Sequence, residues 1–566
     1  MIDKEDDDSC PVETPARRGF SVSYRGKTLL SRIDPITQGE RAAAEAPVSD
    51  HTLYVCPSPL YAYGLPLLRK RLPETSAILC IEVDDQLFAL SKRSNEAQES
   101  DLEAMDNFIH TSKPDKLCAF VRQRWGKRSF RRIEVVHLST GWQLFPLVYE
   151  SLILALRQEL AVEWGNAMTL IRLGRLYSRN LIRNLALLPH SERSSALSFG
   201  AASAIVLGAG PSLDATLDAL SPYARETNPQ RLKFKIICVD TALTALHERG
   251  IRPDLVVILE SQHWNLRDFS GLRGKNIDAA IDLSALAASA RVLGGRRFFF
   301  ATPWTELALF RRLQAAGLLG DTFLPLGSVG LCAVAIALRA TSAPVLVSGI
   351  DFSYSLDSYH ARSTPSNLDM HNRQSRTRSL INVSAAFREG TFSVKGKNGE
   401  MVRSDPGMRS YAKLFEQVFG GEKRLFDIEG SGISLSIQTI PLDKALAILN
   451  KNANGKNGAP SKTAHPAHTV QSDTITAFAR QELDALDTLK KALSGESPLS
   501  SSRLTELIHY ADYLYAHFPE YAGKQGGKGS QPELTDTSFL KRLRTEIEPF
   551  QKCWEMTLRE LEKAQE

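Results

Sequence analysis

The chain reads as an α/β protein whose centre is a doubly wound, mostly parallel sheet. Three features of its 566 residues lead there. Short apolar runs recur at 204–207, 235–239, 255–259, 298–301 and 345–348, with helical periodicity between them, as over 242–249 and 329–339. The first run ends in a small-residue corner, Gly208-Ala209-Gly210-Pro211-Ser212, that opens a helix. Polar residues follow each run, where ligands of such sheets bind, outside the carboxyl ends of the strands.

Composition narrows the class. The length suggests roughly three or four domains. Apolar content of 43% and charged content of 23% are those of an ordinary globular chain. A net charge of +5 is mild for this length and does not point to nucleic acid. The seven cysteines are scattered, with no C-x-x-C pair, so a zinc cluster or disulfide framework is not expected. The opening MIDKEDDDSCPVE is polar rather than a secretory signal, and no apolar run reaches about 18 residues. A cytoplasmic protein with no membrane insertion is expected.

The elements follow in order. Residues 1–20 read as a disordered tail and 21–145 as a smaller Rossmann-like domain. There TLYVCP and AILCIEVD frame a βαβ unit. Glu82 ends the second strand, where nucleotide folds often hold a ribose. The preceding corner, CPSPLYAYG, is bulky and holds only Gly64, so a scaffold without a cofactor is expected. Residues 146–195 read as a helical connector rich in Leu and Arg, and 196–450 as the central domain. A Gly/Asn/Pro-rich linker spans 451–474, and 475–566 read as a helical C-terminal domain suited to packing or interaction.

The strand-end set names the candidate site. It comprises Gly208, Gly210, Pro211 and Ser212; Asp240 and Thr241; Glu260, Ser261, Gln262, His263 and Asn265; Gly327 and Ser328; and Gly349, Asp351, Tyr354, Tyr359 and His360. A strand-to-helix corner aims backbone N–H groups and a helix N-terminus at an anion. The corner lacks the third glycine of a dinucleotide fingerprint, since Leu213 stands there, and it lacks a Walker lysine. A polar ligand with an anionic part fits the set. Solvated caps explain each residue singly but not the set.

The block PLGSVGLCAVAIALRATSAPVLVSGIDFSYSLDSYHA resembles the bacterial lipooligosaccharide sialyltransferases, which also carry the Gly-x-Gly-Pro-Ser-Leu corner. The arrangement is also similar to the motility-associated factor (Maf) family of flagellin glycosyltransferases. DTALTALHERGIRPD, the His-Ala pair at 360, VKGKNGEMVRSD, DIEGSGISLSIQTIPL and LLSRIDP match that family's segments. The likeness is dense over the central domain and loose over the first, which favours Maf.

The resemblance implies an inverting enzyme that moves a nonulosonic acid, of pseudaminic or legionaminic type, from its CMP-activated form to Ser/Thr of flagellin. The CMP-sugar is then a co-substrate, and no cofactor or metal is implied. Gly208, Gly210 and Ser212 would face the phosphate and nucleotide, and Ser328 the donor carboxylate. Tyr359, with Tyr354 or Ser353, would hydrogen-bond the departing phosphate. His360 would be the general base, with His371 the second choice. Alignment puts Met401–Arg403 where the sialyltransferases place their lid histidine. The only D-x-D pattern, Asp6–Asp8, reads as solvated tail charge.

Two other classes compete. A 6-hydroxymethylpterin pyrophosphokinase, using ATP and magnesium, shares the corner motif and could use Asp240, Glu260 and Asp351. A non-catalytic flagellin-binding protein would use the C-terminal helices. The Ser328–Tyr359 block and the chain length count against the first, and the intact polar set against the second.

Overall fold

The computed structural model describes residues 10–97, 107–224, 234–355, 358–379, 384–451, 470–522 and 534–565. Two compact units divide the chain: Met1–Arg172 with Ala516–Glu533, and Leu173–Tyr515 with Leu534–Glu566.

The smaller unit holds an antiparallel sheet of β1 (Val12–Pro15), β2 (Phe20–Tyr24) and β3 (Lys27–Thr28). Strand β1 lies inside the stretch expected to be a disordered tail. All four of its residues are exposed, so backbone pairing with β2 holds it rather than burial. The Asp6–Asp8 pattern falls outside the described residues. A parallel sheet follows, of β4 (Thr52–Pro57), β5 (Ala77–Glu82), β6 (Phe108–His110) and β7 (Arg132–Val135), in the order β6-β5-β4-β7. Strands β4 and β5 are buried throughout, as parallel strands covered on both faces must be. Glu82 accepts from Ser58 Oγ and Tyr149 OH, both at 2.8 Å, and from the amides of Val83 and Asp84. Protein donors thus surround the carboxylate that a ribose would need.

The larger unit is built on one parallel sheet. Its strands are β8 (Glu192–Arg193), β9 (Ala204–Leu207), β10 (Lys235–Val239), β11 (Leu255–Ile258), β12 (Asp278–Asp282), β13 (Arg297–Ala301), β14 (Asp321–Thr322) and β15 (Val345–Ser348). After the hairpin β16 (Phe392–Lys395) and β17 (Met401–Ser404), β18 (Leu425–Ile428) and β19 (Gln438–Ile440) complete it. The order is β14-β13-β12-β11-β10-β9-β15-β18-β19, with β8 beside β13. Every pair in it is parallel. The doubly wound, mostly parallel architecture expected from the sequence is present. The chain runs outward from β9 to β14, then returns to lay β15 on the other flank of β9. That reversal makes the β9/β15 boundary the switch point, the place where doubly wound sheets generally bind ligands.

The sequence reading missed β8, β12, β14, β18 and β19. In Asp-Ala-Ala-Ile-Asp, alanines weaken the strand signal, and pairing on both sides supplies what propensity lacks. The helices Ser472–Ser494, Ser501–Tyr510 and Thr537–Gln565 confirm a helical C-terminal region, yet they belong to the larger unit rather than a domain of their own. Buried Glu482 binds Arg312 at 2.7 Å and Tyr513 at 3.0 Å, and Asp512 accepts from the Ala308 amide. These bonds tie them to the helix Ala308–Ala315. Among the described residues, no helix is long and apolar enough to cross a membrane.

One buried ion pair anchors the β16–β17 hairpin to the sheet. Lys397 Nζ lies 2.8 Å from both Asp427 oxygens and 3.0 Å from the Ile428 carbonyl, with both side chains at most 3% exposed. Lys397→Met should cost about 3–5 kcal/mol, because it leaves Asp427 buried and uncompensated. Adding Asp427→Leu should recover most of the loss. Urea denaturation of the three proteins checks this; parental stability in the single variant would contradict it.

Candidate functional site

At the switch point two loops touch backbone to backbone. A Cβ on Gly208 would lie 2.3 Å from the Gly349 carbonyl oxygen, and one on Gly349 would lie 2.5 Å from that of Gly208. Only glycine fits at either place. The Gly210 amide donates to the Gly349 carbonyl at 2.7 Å, and the Gly208 amide to Ser348 at 2.8 Å. Asp351 Oδ2 accepts from the Ser212 amide at 2.8 Å, and Oδ1 from the Ser212 hydroxyl at 2.5 Å. Pro211 brings no N–H at all. The corner at 208–212 was expected to face a phosphate; instead its amides at 208, 210 and 212 serve the protein. Asp351 supplies the anion, buried and with its pKa raised by desolvation despite the nearby Lys397.

The ends of β10 and β11 form a second group. Buried Asp240 accepts from the Thr241 amide at 2.9 Å and from Asn265 Nδ2 at 2.8 Å. Asn265 Nδ2 also reaches Asp268 Oδ2 at 3.3 Å. Desolvation, with Asp268 alongside, pushes Asp240 up to about 7, and desolvation pushes Asp268 up to about 6. Ser261 Oγ, Asn265 Oδ1 and Asp268 Oδ1 are buried with no hydrogen-bond partner. Glu260 is exposed and accepts from the Gln262 amide. His263 lies exposed against Trp264.

A helix expected only to connect two domains sets the floor here. In Pro146–Leu185, Asn180 Nδ2 donates to the carbonyls of Ser261 and Ser284 at 3.0 and 3.1 Å. Asn184 Nδ2 donates to Leu283 and Ala285 at 2.9 and 2.8 Å. The i, i+4 pair of asparagines in an amphipathic helix was the available signal. Asp282, on the missed strand, fixes Thr302 and Ser284 through four bonds.

Past β15 the chain brings the remaining candidates together. Buried Tyr354 donates to Asp405, the N-cap of the helix Pro406–Phe419, so its hydroxyl is engaged within the protein. Its backbone bridges to Arg403, which in turn holds Ala386, Thr391 and Ser393. Ser353 is buried and Met401 is 65% exposed. Tyr359 is held more loosely, by a 3.3 Å bond to the Ser366 carbonyl. The His360 ring tilts against it at 4.8 Å, and His360 Nδ1 is buried without a partner. Burial, with Arg267 adding repulsion, lowers His360 to about 4. Arg267 donates to Ser366 Oγ at 3.1 Å, which links the loops after β11 and β15. His371 is exposed and paired with Gln374.

The helix Val329–Ala340 begins with an open end. Ser328 occupies its N-cap but makes no side-chain cap bond, and Gly327 before it has φ of +67°. The first-turn amides therefore lack a side-chain acceptor at a position suited to an anion. For a metal, no group of three or more His, Cys, Asp or Glu side chains is arranged as a site among the described residues.

The 6-hydroxymethylpterin diphosphokinase MptE-like family model matches residues 179–357. An uncharacterized protein of Treponema pallidum (strain Nichols) is 29% identical, the match covering 95% of this chain and 93% of that protein. A solved Maf glycosyltransferase from Magnetospirillum magneticum AMB-1 shares the fold, with a TM-score of 0.51 at 14% identity. That likeness covers 98% of this chain and 90% of the other.

The Asp240 environment sets a pH signature. Unfolded, this carboxyl releases its proton near 3.8; folded, it keeps the proton up to about 7. Within that window the unfolded chain binds fewer protons, so this group's contribution to stability falls as pH rises, then levels off. Asp240→Asn should therefore gain on the parent in melting temperature between about pH 4 and 7. Scanning calorimetry across that range checks the trend; a pH-independent difference would contradict it.

Proposed function

We propose that the chain is an inverting glycosyltransferase that moves a nonulosonic acid from a CMP-activated donor to Ser/Thr hydroxyls of flagellin in the cytoplasm. The observation that carries this reading is the pairing of a loosely held phenol, Tyr359, with a neutral imidazole, His360, whose Nδ1 is unsatisfied. The fold shared with a Maf glycosyltransferase and the sequence block from 325 to 361 support it.

In this proposal the donor carboxylate lies at the open helix start beside Ser328, in place of the occupied corner. The acceptor oxygen attacks C2 of the sugar as the C2–O bond to phosphate breaks, and CMP leaves with the electron pair. His360 takes the hydroxyl proton, and Tyr359 donates to the leaving phosphate oxygen as its charge develops. One displacement gives inversion. Tyr354 keeps a positioning role through Asp405, and Asp351 holds the corner closed. The CMP-sugar is a co-substrate, and the chemistry calls on no cofactor or metal because the leaving group is a monophosphate.

The diphosphokinase reading draws on the family match over 179–357. It would gather magnesium on Asp240, Glu260 and Asp351. The Asp351 oxygens are instead directed at Ser212, and those of Asp240 at Thr241 and Asn265. Calorimetry with CMP and with Mg-ATP separates the two; tight ATP binding without CMP binding would sink the transferase.

Tyr359→Phe should slow turnover by about 10²–10³-fold with donor affinity nearly unchanged. The acid limb of the parental rate profile should lie near pH 4, the His360 value, and vanish in His360→Ala. Intact-mass measurement of flagellin, alongside the folded fraction of each variant, checks both. Parental rates for Tyr359→Phe would remove Tyr359 from the mechanism.

A further inference from the structure

Tyr177, Asn180 and Asn184 share one face of the helix Pro146–Leu185, at spacings of three and four. The two asparagines fix that face against the loops after β11 and β12. Tyr177 therefore stands one turn nearer the helix start, beside the end of β11. Its ring meets Trp304 at 5.2 Å and 54°, and Trp304 meets Phe310 edge-on at 4.9 Å. Tyr411 of the helix Pro406–Phe419 packs on Gly327, whose Cβ would lie 3.1 Å from the ring.

The polar atoms of this group are unused. The Trp304 indole nitrogen and Ser261 Oγ are buried without partners. Neither the Tyr177 nor the Tyr411 hydroxyl has a hydrogen-bond partner among the described residues. Desolvation, with the charges of Glu260 and Asp282 adding to it, pushes the Tyr177 hydroxyl up to about 12, so it remains a donor at neutral pH. Two buried polar atoms without partners, Trp304 Nε1 and Ser261 Oγ, beside half-buried phenols are more than packing alone accounts for.

We propose that Tyr177, Trp304 and Tyr411 form a carbohydrate-ring subsite beside Glu260, which takes the pyranose of the substrate. A sugar ring has apolar C–H faces and a rim of hydroxyls. The aromatic rings accept the faces, Glu260 and Ser261 Oγ accept from the rim, and the two phenols donate to it. The subsite rests on the transferase reading and deepens it, since it places sugar recognition on residues apart from Tyr359, His360 and Ser328.

Saturation-transfer NMR on the full chain tests it, with CMP, free N-acetylneuraminate and CMP-N-acetylneuraminate as probes. Saturation of the sugar-ring protons is expected from both sugars. Trp304→Leu and Tyr177→Ala should each weaken it by about fivefold, the worth of one aromatic contact, with CMP binding by the folded fraction unchanged. Should Trp304→Leu unfold, Tyr177→Ala and Tyr411→Ala carry the test. No ring saturation, or ring saturation that the folded variants leave intact, overturns the subsite whatever CMP does. Ring saturation without CMP binding would uphold the subsite and fell the CMP-donor reading instead.

Discussion

The contact between the Gly208 and Gly349 loops governs the rest of the larger unit. It joins β9, the strand from which the sheet is wound outward, to the strand that returns beside it, β15. With Asp351 capping Ser212 and Lys397 nearby paired to Asp427, the junction is a buried polar knot in which every charge has a partner. Such networks are costly to disturb because a half-satisfied member stays buried. The outward loops that carry Tyr359 and His360 start from this fixed point.

Burial sets the chemistry of the groups around that point. Desolvation raises Asp240, Asp268 and Asp351 and lowers His360, so burial opposes the charged form of each. A neutral imidazole is available as a proton acceptor across the physiological range, although its low basicity makes it a modest one.

Much of this was legible in the residues. Strong apolar runs such as Lys235–Val239 and Val345–Ser348 announce buried parallel strands, and polar residues follow at their ends. Strand β12 was not legible, because alanines carry little strand preference and its place depends on neighbours 20 residues away. The bonding of the corner was hidden for a related reason. Gly208, Gly210 and Ser212 suit an anion, but no local pattern reveals that Asp351, 139 positions beyond Ser212, already provides one. Tyr177 and the two asparagines were hidden by the opposite effect, since a long amphipathic helix reads as packing. Only the tertiary fold shows which carbonyls its polar face meets.

The asparagine clamp has a consequence for how this region tolerates change. Two side chains hold four carbonyls belonging to two separate loops, and all four bonds depend on one helical register. A rotation or slip of that helix would not loosen the bonds one at a time; it would release both loops together. Order in this part of the molecule is therefore cooperative, closer to a latch than to a hinge. A substitution far along the helix can abolish the shape of the loops without touching either of them.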